Sequence, residues 1–275
     1  MGSCQFKSNK QQNMSRNFLL FMVITPTILI SSYACNTANT ENKADADVTA
    51  TAANDNTSNT AVDNTLSEEE KKEGFKLLFD GKTLNGWRTY QNKPADSWSV
   101  KDGTFYCKGD PTNKSDMRSD MITTDQYENF DLSIDWKISP KGNSGVIYLA
   151  TEEFPAAYLS GPEYQMIDDK NFPEKLEDWQ KTGANYAMNP APTAASNPVG
   201  EWNTTRIVVN KGHVEHWLNG KKVVEYEIGS EEWKKNKMTG KWKDAKGYGM
   251  AKRGHIALQD HGSEAWFKNI KIKEL

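Results

Sequence analysis

From position 74 onward, apolar and polar residues alternate in short runs, and turn residues interrupt each run before it grows long. Phe130-Asp131-Leu132-Ser133-Ile134-Asp135-Trp136-Lys137-Ile138 shows the pattern best. Every second residue is apolar, so one buried strand face carries Phe130, Leu132, Ile134, Trp136 and Ile138. Trp98-Ser99-Val100 and Thr104-Phe105-Tyr106-Cys107 flank Asp102-Gly103, a strong hairpin signal. Residues 206–209, 213–218 and 222–226 form a three-stranded meander, its turns at Lys211-Gly212 and Asn219-Gly220. Residues 75–79, 145–149, 254–259 and 265–273 read as further strands, and 163–167 as a strand entered through the turn Gly161-Pro162. A short helix is predicted over 67–73, because Ser67 can cap it, Glu70 completes a capping box and acidic residues fill its first turn. Two segments break the strand rhythm. Residues 168–200 are a long irregular loop with a helical turn near 176–179, and 230–249 are a lysine-rich, tryptophan-bearing insertion, partly helical. Many short strands without a long amphipathic helix predict an all-β sandwich with one concave face for extended ligands.

The first 66 residues follow other rules. Residues 1–13 are polar, and Met14 reads as the true start. Met1-Gly2 suggests myristoylation, but Phe6 stands where Ser or Thr is required. Arg16, a broken apolar run over 18–30 and the small residues before Cys35 then outline a signal peptide over 1–35. A small residue directly before Cys35 matches the end of a bacterial lipobox, which predicts lipidation of Cys35 and a periplasmic or cell-surface lipoprotein. Residues 36–66 are rich in Ala, Asn, Thr and Asp, with no aromatic residue and little that is apolar, too little to offset the entropy of ordering. They read as a disordered tether between that anchor and a domain over 67–275.

Composition narrows the function. The net charge of −3 gives no basic footprint for nucleic acid, and the membrane association expected is through the lipid anchor on Cys35 only. Of three cysteines only Cys107 lies in the folded part, which leaves no intradomain disulfide and no zinc spacing. Gly-x-Ser-x-Gly, a phosphate loop and a dinucleotide fingerprint are all absent from the sequence. Aromatic residues are plentiful, enough for a core and for stacking on sugar rings.

Two stretches carry the candidate chemistry. On the strand at 163–167, Glu163 and Gln165 share one face and Tyr164 and Met166 the other. A carboxyl and an amide side by side need partners or solvent. Near the C-terminus, His255, Gln259 and His261 share parity opposite Ile256 and Leu258, so the polar set faces outward if the apolar pair faces the core. A histidine at the mouth of a turn, as His261 is before Gly262, can take a proton near neutral pH. His213 and His216 flank a hairpin and read as structural. Glu163 with Asp168 is a weak glycosidase-type carboxylate pair, because their parities differ.

The order of motifs resembles a known family. Leu78-Phe79-Asp80-Gly81-Lys82-Thr83-Leu84-Asn85-Gly86-Trp87, Asn143-Ser144-Gly145, Glu163-Tyr164-Gln165-Met166-Ile167-Asp168, Thr182-Gly183-Ala184-Asn185-Tyr186 and Leu258-Gln259-Asp260-His261-Gly262 are similar to the DUF1080 family of 3-keto-disaccharide hydrolases, or 3-keto-glucoside lyase/hydratases. The resemblance implies a concanavalin A-like jelly roll acting on sugars oxidised at C3. It nominates Glu163 and His261 as the acid/base pair, with their roles open. Asn143, Gln165, Asp168, Tyr186 and Gln259 become the substrate contacts. No cofactor is demanded, although Glu163, Asp168 and His261 form a suitable ligand set for a divalent metal. One departure stands out: many relatives carry an arginine shortly after Asn-Ser-Gly, where this chain has Tyr148-Leu149-Ala150. The competing reading is a non-catalytic carbohydrate-binding lipoprotein on the same sandwich.

Overall fold

The computed structural model describes residues 62–109 and 117–275. The signal segment, Cys35 and the tether up to residue 61 lie outside the described residues. In chain order the elements are α1 (Glu68–Glu73), β1 (Lys76–Leu77), β2 (Trp87–Thr89), β3 (Trp98–Lys101), β4 (Thr104–Cys107), β5 (Met121–Thr123), β6 (Phe130–Ile138) and β7 (Asn143–Ala150). They continue with β8 (Glu163–Ile167), β9 (Asn203–Asn210), β10 (His213–Leu218), β11 (Lys221–Glu227), α2 (Glu231–Thr239), β12 (His255–Leu258) and β13 (Ala265–Glu274). The larger sheet runs β11-β10-β9-β6-β13-β4-β3, with β1 added on β13. The smaller runs β2-β5-β12-β7-β8. Every described strand pair is antiparallel, giving the β-sandwich that the strand rhythm predicts and that the family resemblance specifies as a jelly roll.

β6 sits inside the larger sheet, and Phe130, Leu132, Ile134, Trp136 and Ile138 are all buried, as their spacing requires. Trp136 satisfies its one donor within the core: Nε1 donates to Thr205 Oγ1 at 2.8 Å. Asp131, on the opposite face, is also buried and is held by Arg206, whose Nε and Nη2 each donate at 2.8 Å. The two sheets meet through polar atoms as well as apolar ones. Tyr148 from β7 reaches across to His216 Nε2 (2.8 Å) and to the Tyr226 hydroxyl (2.5 Å), while His216 Nδ1 donates to Gly183 O at 3.0 Å. His216 is therefore structural, and burial pushes its pKa down to about 4, so it stays neutral.

Local irregularities set where faces point. β7 carries one residue more than β12 between the pairs Ala150–His255 and Ile147–Ala257, and Leu149 takes the left-handed conformation (φ +56°). The bulge lets Tyr148 and Leu149 both enter the inter-sheet core, while Ile147 and Ala150 pack on the outer side. The strand expected over 75–79 is reduced to β1, because only that segment pairs with β13 before Asp80 caps the next turn. α1 forms with the predicted capping box. The final residues before it are pinned to β13: Asn64 and Asn269 exchange backbone-to-side-chain bonds (2.6 and 2.9 Å), and Lys268 pairs with Asp63 at 2.8 Å.

Trp136→Ala removes the largest side chain of the central strand face and the hydrogen bond it gives to the Thr205 hydroxyl. It is expected to cost about 3–5 kcal/mol, with Trp136→Phe costing less, read as the shift of the urea unfolding midpoint.

Candidate active site

β7, β8 and β12 are neighbours, and their alternation builds a polar floor behind an apolar core. On β8, Tyr164 and Met166 enter the inter-sheet core, so Glu163 and Gln165 must face outward. β8 is an edge strand, yet these two polar side chains are not solvated; both are almost fully buried. Gly145 explains how Glu163 fits. A Cβ there would come within 2.5 Å of Glu163 Oε1, so the Asn143-Ser144-Gly145 motif supplies the space in which the carboxyl lies across β7.

The turn after β12 is held at successive backbone atoms. Gln259 N donates to Gly145 O (2.9 Å) and Ser144 Oγ donates to Gln259 O (2.9 Å). Asp260 N donates to Asp120 Oδ1 (2.9 Å), and Gly262 N donates to Asp260 Oδ1 (3.0 Å). Arg118 grips the same Asp260 oxygen through Nε (2.9 Å) and Nη2 (2.5 Å), and the Asp260 side chain is fully buried. His261 is thus carried on a turn whose neighbours cannot shift freely.

These elements bring Asn143, Glu163, Gln165, Tyr186, Gln259 and His261 onto the walls of one cavity of about 240 Å³. Tyr158, Lys241 and Trp242 complete it. Sequence reasoning did not nominate these three. Only the unusual lysine and tryptophan content of the 230–249 insertion hinted at Lys241 and Trp242, and nothing local in the sequence says where an insertion folds back; Tyr158 carried no such hint. Asn143 Oδ1 and Gln259 Oε1 are buried acceptors without a protein partner, which suits a ligand rich in hydroxyl donors.

Asp168 does not join this site. Its carboxylate accepts from the backbone N–H groups of Lys141 (2.8 Å), Asn171 (3.0 Å) and Lys170 (3.2 Å), closing the turn after β8, and it borders a different groove. Its parity with Tyr164 and Met166 sends it to the other side of the strand. The expected rim contact and the ligand set of Glu163, Asp168 and His261 are therefore both corrected. Among the described residues the side chains that converge closely enough for a metal are His213, Glu215 and Glu225 on β10 and β11, where Lys222 already pairs with both glutamates (3.1 and 2.7 Å). His255 keeps the predicted parity but sits at the far end of β12. There it is buried, with Nδ1 donating to Thr123 O (2.7 Å) and Gln126 at 3.0 Å from Nε2, and it does not line the cavity. Tyr148, near the position where relatives carry an arginine, points into the inter-sheet core.

The two nominated acid/base groups are driven in opposite directions. Burial pushes the Glu163 carboxyl up to about 8, the Asp120 charge adds to this, and Lys241 and Gln259 only partly oppose it. Asp120 is itself raised to about 6, first by burial, against the stabilising Asp260 N–H. His261 stands at the mouth with one side exposed, and the protein packed behind it lowers its pKa below 6.5. At neutral pH, Glu163 holds its proton and His261 is free to accept one.

Comparison with known proteins places this geometry. Residues 74–273 match the family described as the 3-keto-alpha-glucoside-1,2-lyase-like domain. A 3-keto-disaccharide hydrolase of Bacteroides thetaiotaomicron is 34% identical over 229 residues, covering 74% of this chain and 79% of that protein. A crystal structure of a candidate glycosyl hydrolase from Parabacteroides distasonis is 44% identical, with a TM-score of 0.73 over 78% of this chain and all of its own. A second such structure from the same organism is 28% identical, with a TM-score of 0.56 over 73% of this chain and 99% of its own. With the family matched across nearly the whole sandwich, this chain belongs to the 3-keto-alpha-glucoside-1,2-lyase-like domain family.

Proposed function

We propose that the protein cleaves the glycosidic bond of 3-keto-glycosides by elimination across C2 and C1, followed by addition of water. The observation that carries this reading is a protonated Glu163 and an unprotonated His261 on the walls of one cavity. A ketone at C3 acidifies the C2 proton. His261 takes that proton, and the electron pair passes into the C2–C3 bond and onto the C3 oxygen as an enolate. The pair then returns, C3=O and a C1–C2 double bond form, and the C1–O bond breaks. Glu163 gives its proton to the departing oxygen. Water adds hydroxyl at C1 and hydrogen at C2, so the sum is hydrolysis. Asn143, Gln165, Gln259 and Tyr186 hold the ring, the two orphaned amide oxygens taking hydrogen bonds from its hydroxyls.

An ordinary glycosidase would use two carboxyls and an oxocarbenium-like transition state that needs no ketone. Glu163 and Asp120 are the carboxyls near enough to couple electrostatically, so the substrate test decides. A 3-keto-disaccharide should be cleaved and should exchange its C2 hydrogen in heavy water, while the same unoxidised disaccharide stays intact. Equal cleavage of both forms, or cleavage without exchange or solvent hydrogen at C2, would falsify the elimination. His261→Ala and Glu163→Gln should each lower turnover by on the order of 10²-fold or more.

The pH profile follows from the same two groups. The base works above its own pKa and the acid below its own. Activity should therefore fall above about pH 8 as Glu163 ionises, and fall on the acid side only below 6.5, as His261 gains a proton. Stability gives an independent reading. Because Glu163 rises from 4.5 to about 8 on folding, the folded state retains its proton and loses stability as pH climbs through that window. Glu163→Gln should unfold at a higher denaturant concentration than the parent at pH 8, with the gap narrowing near pH 5. A variant equal to the parent at both pH values would remove the buried-acid assignment.

The proposal extends to location. A lipid on Cys35 and the polar stretch that follows it would hold the domain off an envelope membrane. Cys35→Ser should then move the protein from the membrane fraction to the soluble one; unchanged fractionation would remove the anchor.

A further inference from the structure

We propose that Lys241 is a catalytic residue, its ammonium stabilising the enolate oxygen that forms at C3. The inference rests on the elimination reading above and adds a group that the reading leaves out. Elimination through an enolate needs a base, an acid and something to carry the negative charge between them. The base and acid are assigned, and an acidic group stands behind the cavity wall: Glu163 feels the charge of Asp120, which does not itself line the cavity, while Asp260 beyond it is already paired with Arg118. An anion generated near that carboxyl is repelled unless a cation opposes it. Among the residues lining the cavity, Lys241 is the one lysine or arginine. It lines the same cavity as Glu163 and His261, and its charge is felt at both.

Its surroundings show that it is placed rather than merely nearby. Lys241 Nζ donates to the Tyr186 hydroxyl at 3.1 Å, and it lies 4.3 Å from the Tyr186 ring centroid and 5.1 Å from that of Trp242. Those aromatics are fixed in turn. Trp242 Nε1 donates to Tyr186 O at 3.1 Å, and Trp242 stacks on Tyr248 at 4.5 Å. The Tyr186 bond uses one of the three ammonium donors and leaves the others for a ligand oxygen. A neutral ketone gains little from such a donor, whereas an enolate gains much, so the contact strengthens as the transition state forms.

The test uses the purified full chain with Lys241→Met and Lys241→Arg. Lys241 is exposed, so neither change threatens the core. Two readouts are taken: kcat and KM on a 3-keto-disaccharide, and C2 hydrogen exchange in heavy water on a 3-keto-1,5-anhydro sugar, which can enolise but has no exocyclic leaving group at C1. Lys241→Met should lower kcat and the exchange rate together, by about 10²–10³-fold, while KM stays near that of the parent. Lys241→Arg should recover part of both, and added methylammonium should partly rescue Lys241→Met. A Lys241→Met protein that keeps the parent's kcat and exchange rate and shows only a raised KM would overturn the inference and make Lys241 a binding residue. Loss of kcat with exchange intact would overturn it as well, moving Lys241 to the departure step. Failure of the underlying reading appears elsewhere, in the unsubstituted protein: no exchange at C2 there would overturn both.

Discussion

A carboxyl group in the position of Glu163 has almost no water to ionise into. It lies against β7 in the gap left by Gly145, and the nearby charge of Asp120 is of the same sign. Keeping the proton is the cheaper state, and that state is the one the proposed acid role requires. The burial is imposed by the strand itself. Tyr164 and Met166 have to enter the core, and an alternating backbone then has nowhere to send Glu163 and Gln165 but the opposite face. Packing on one side of β8 thus determines protonation on the other.

His261 is governed by different means. It follows β12 on a turn, where side chains ordinarily move, and this turn is tied down by Gly145, Ser144, Asp120 and Arg118. The buried Arg118–Asp260 pair is costly to desolvate, and its hydrogen bonds to Gly262 and the Lys108 carbonyl are what make the arrangement tolerable. Such a pair is a device for position more than for stability. Glu163 and His261 share one cavity yet stand in different surroundings, one enclosed and one at the mouth, and this difference separates their protonation states.

The wall facing them comes from far along the chain. The insertion around α2 folds back so that Trp242 and Lys241 meet Tyr186 from the long loop after β8. The two segments that broke the strand rhythm therefore end at the same place. Their irregularity is the cost of covering a polar sheet face with aromatic walls, because a regular strand there would continue the sheet instead of closing a cavity.

How much of this was written locally can be argued residue by residue. Alternation determined β6 and the two faces of β8, and the turn residues Asp102-Gly103, Lys211-Gly212 and Asn219-Gly220 determined the hairpin of β3 and β4 and the meander of β9 to β11, since both signals are properties of neighbouring residues alone. The same parity separated Glu163 from Asp168, and the structure sends Asp168 to a turn-closing role on that account. Motif order brought Asn143, Gln165, Tyr186 and Gln259 together with Glu163 and His261 without coordinates. What the sequence left open were questions of distance. His255 has the right parity and the wrong end of the strand; Tyr148 follows the right motif and faces the core; the lysine-rich insertion does not say that Lys241 meets the site, and Asp120 and Arg118 carry no local mark at all. Parity says which face a side chain takes, but only the packing of segments far apart in sequence decides what stands opposite that face, and that opposition sets both the charge on Glu163 and the shape of its cavity.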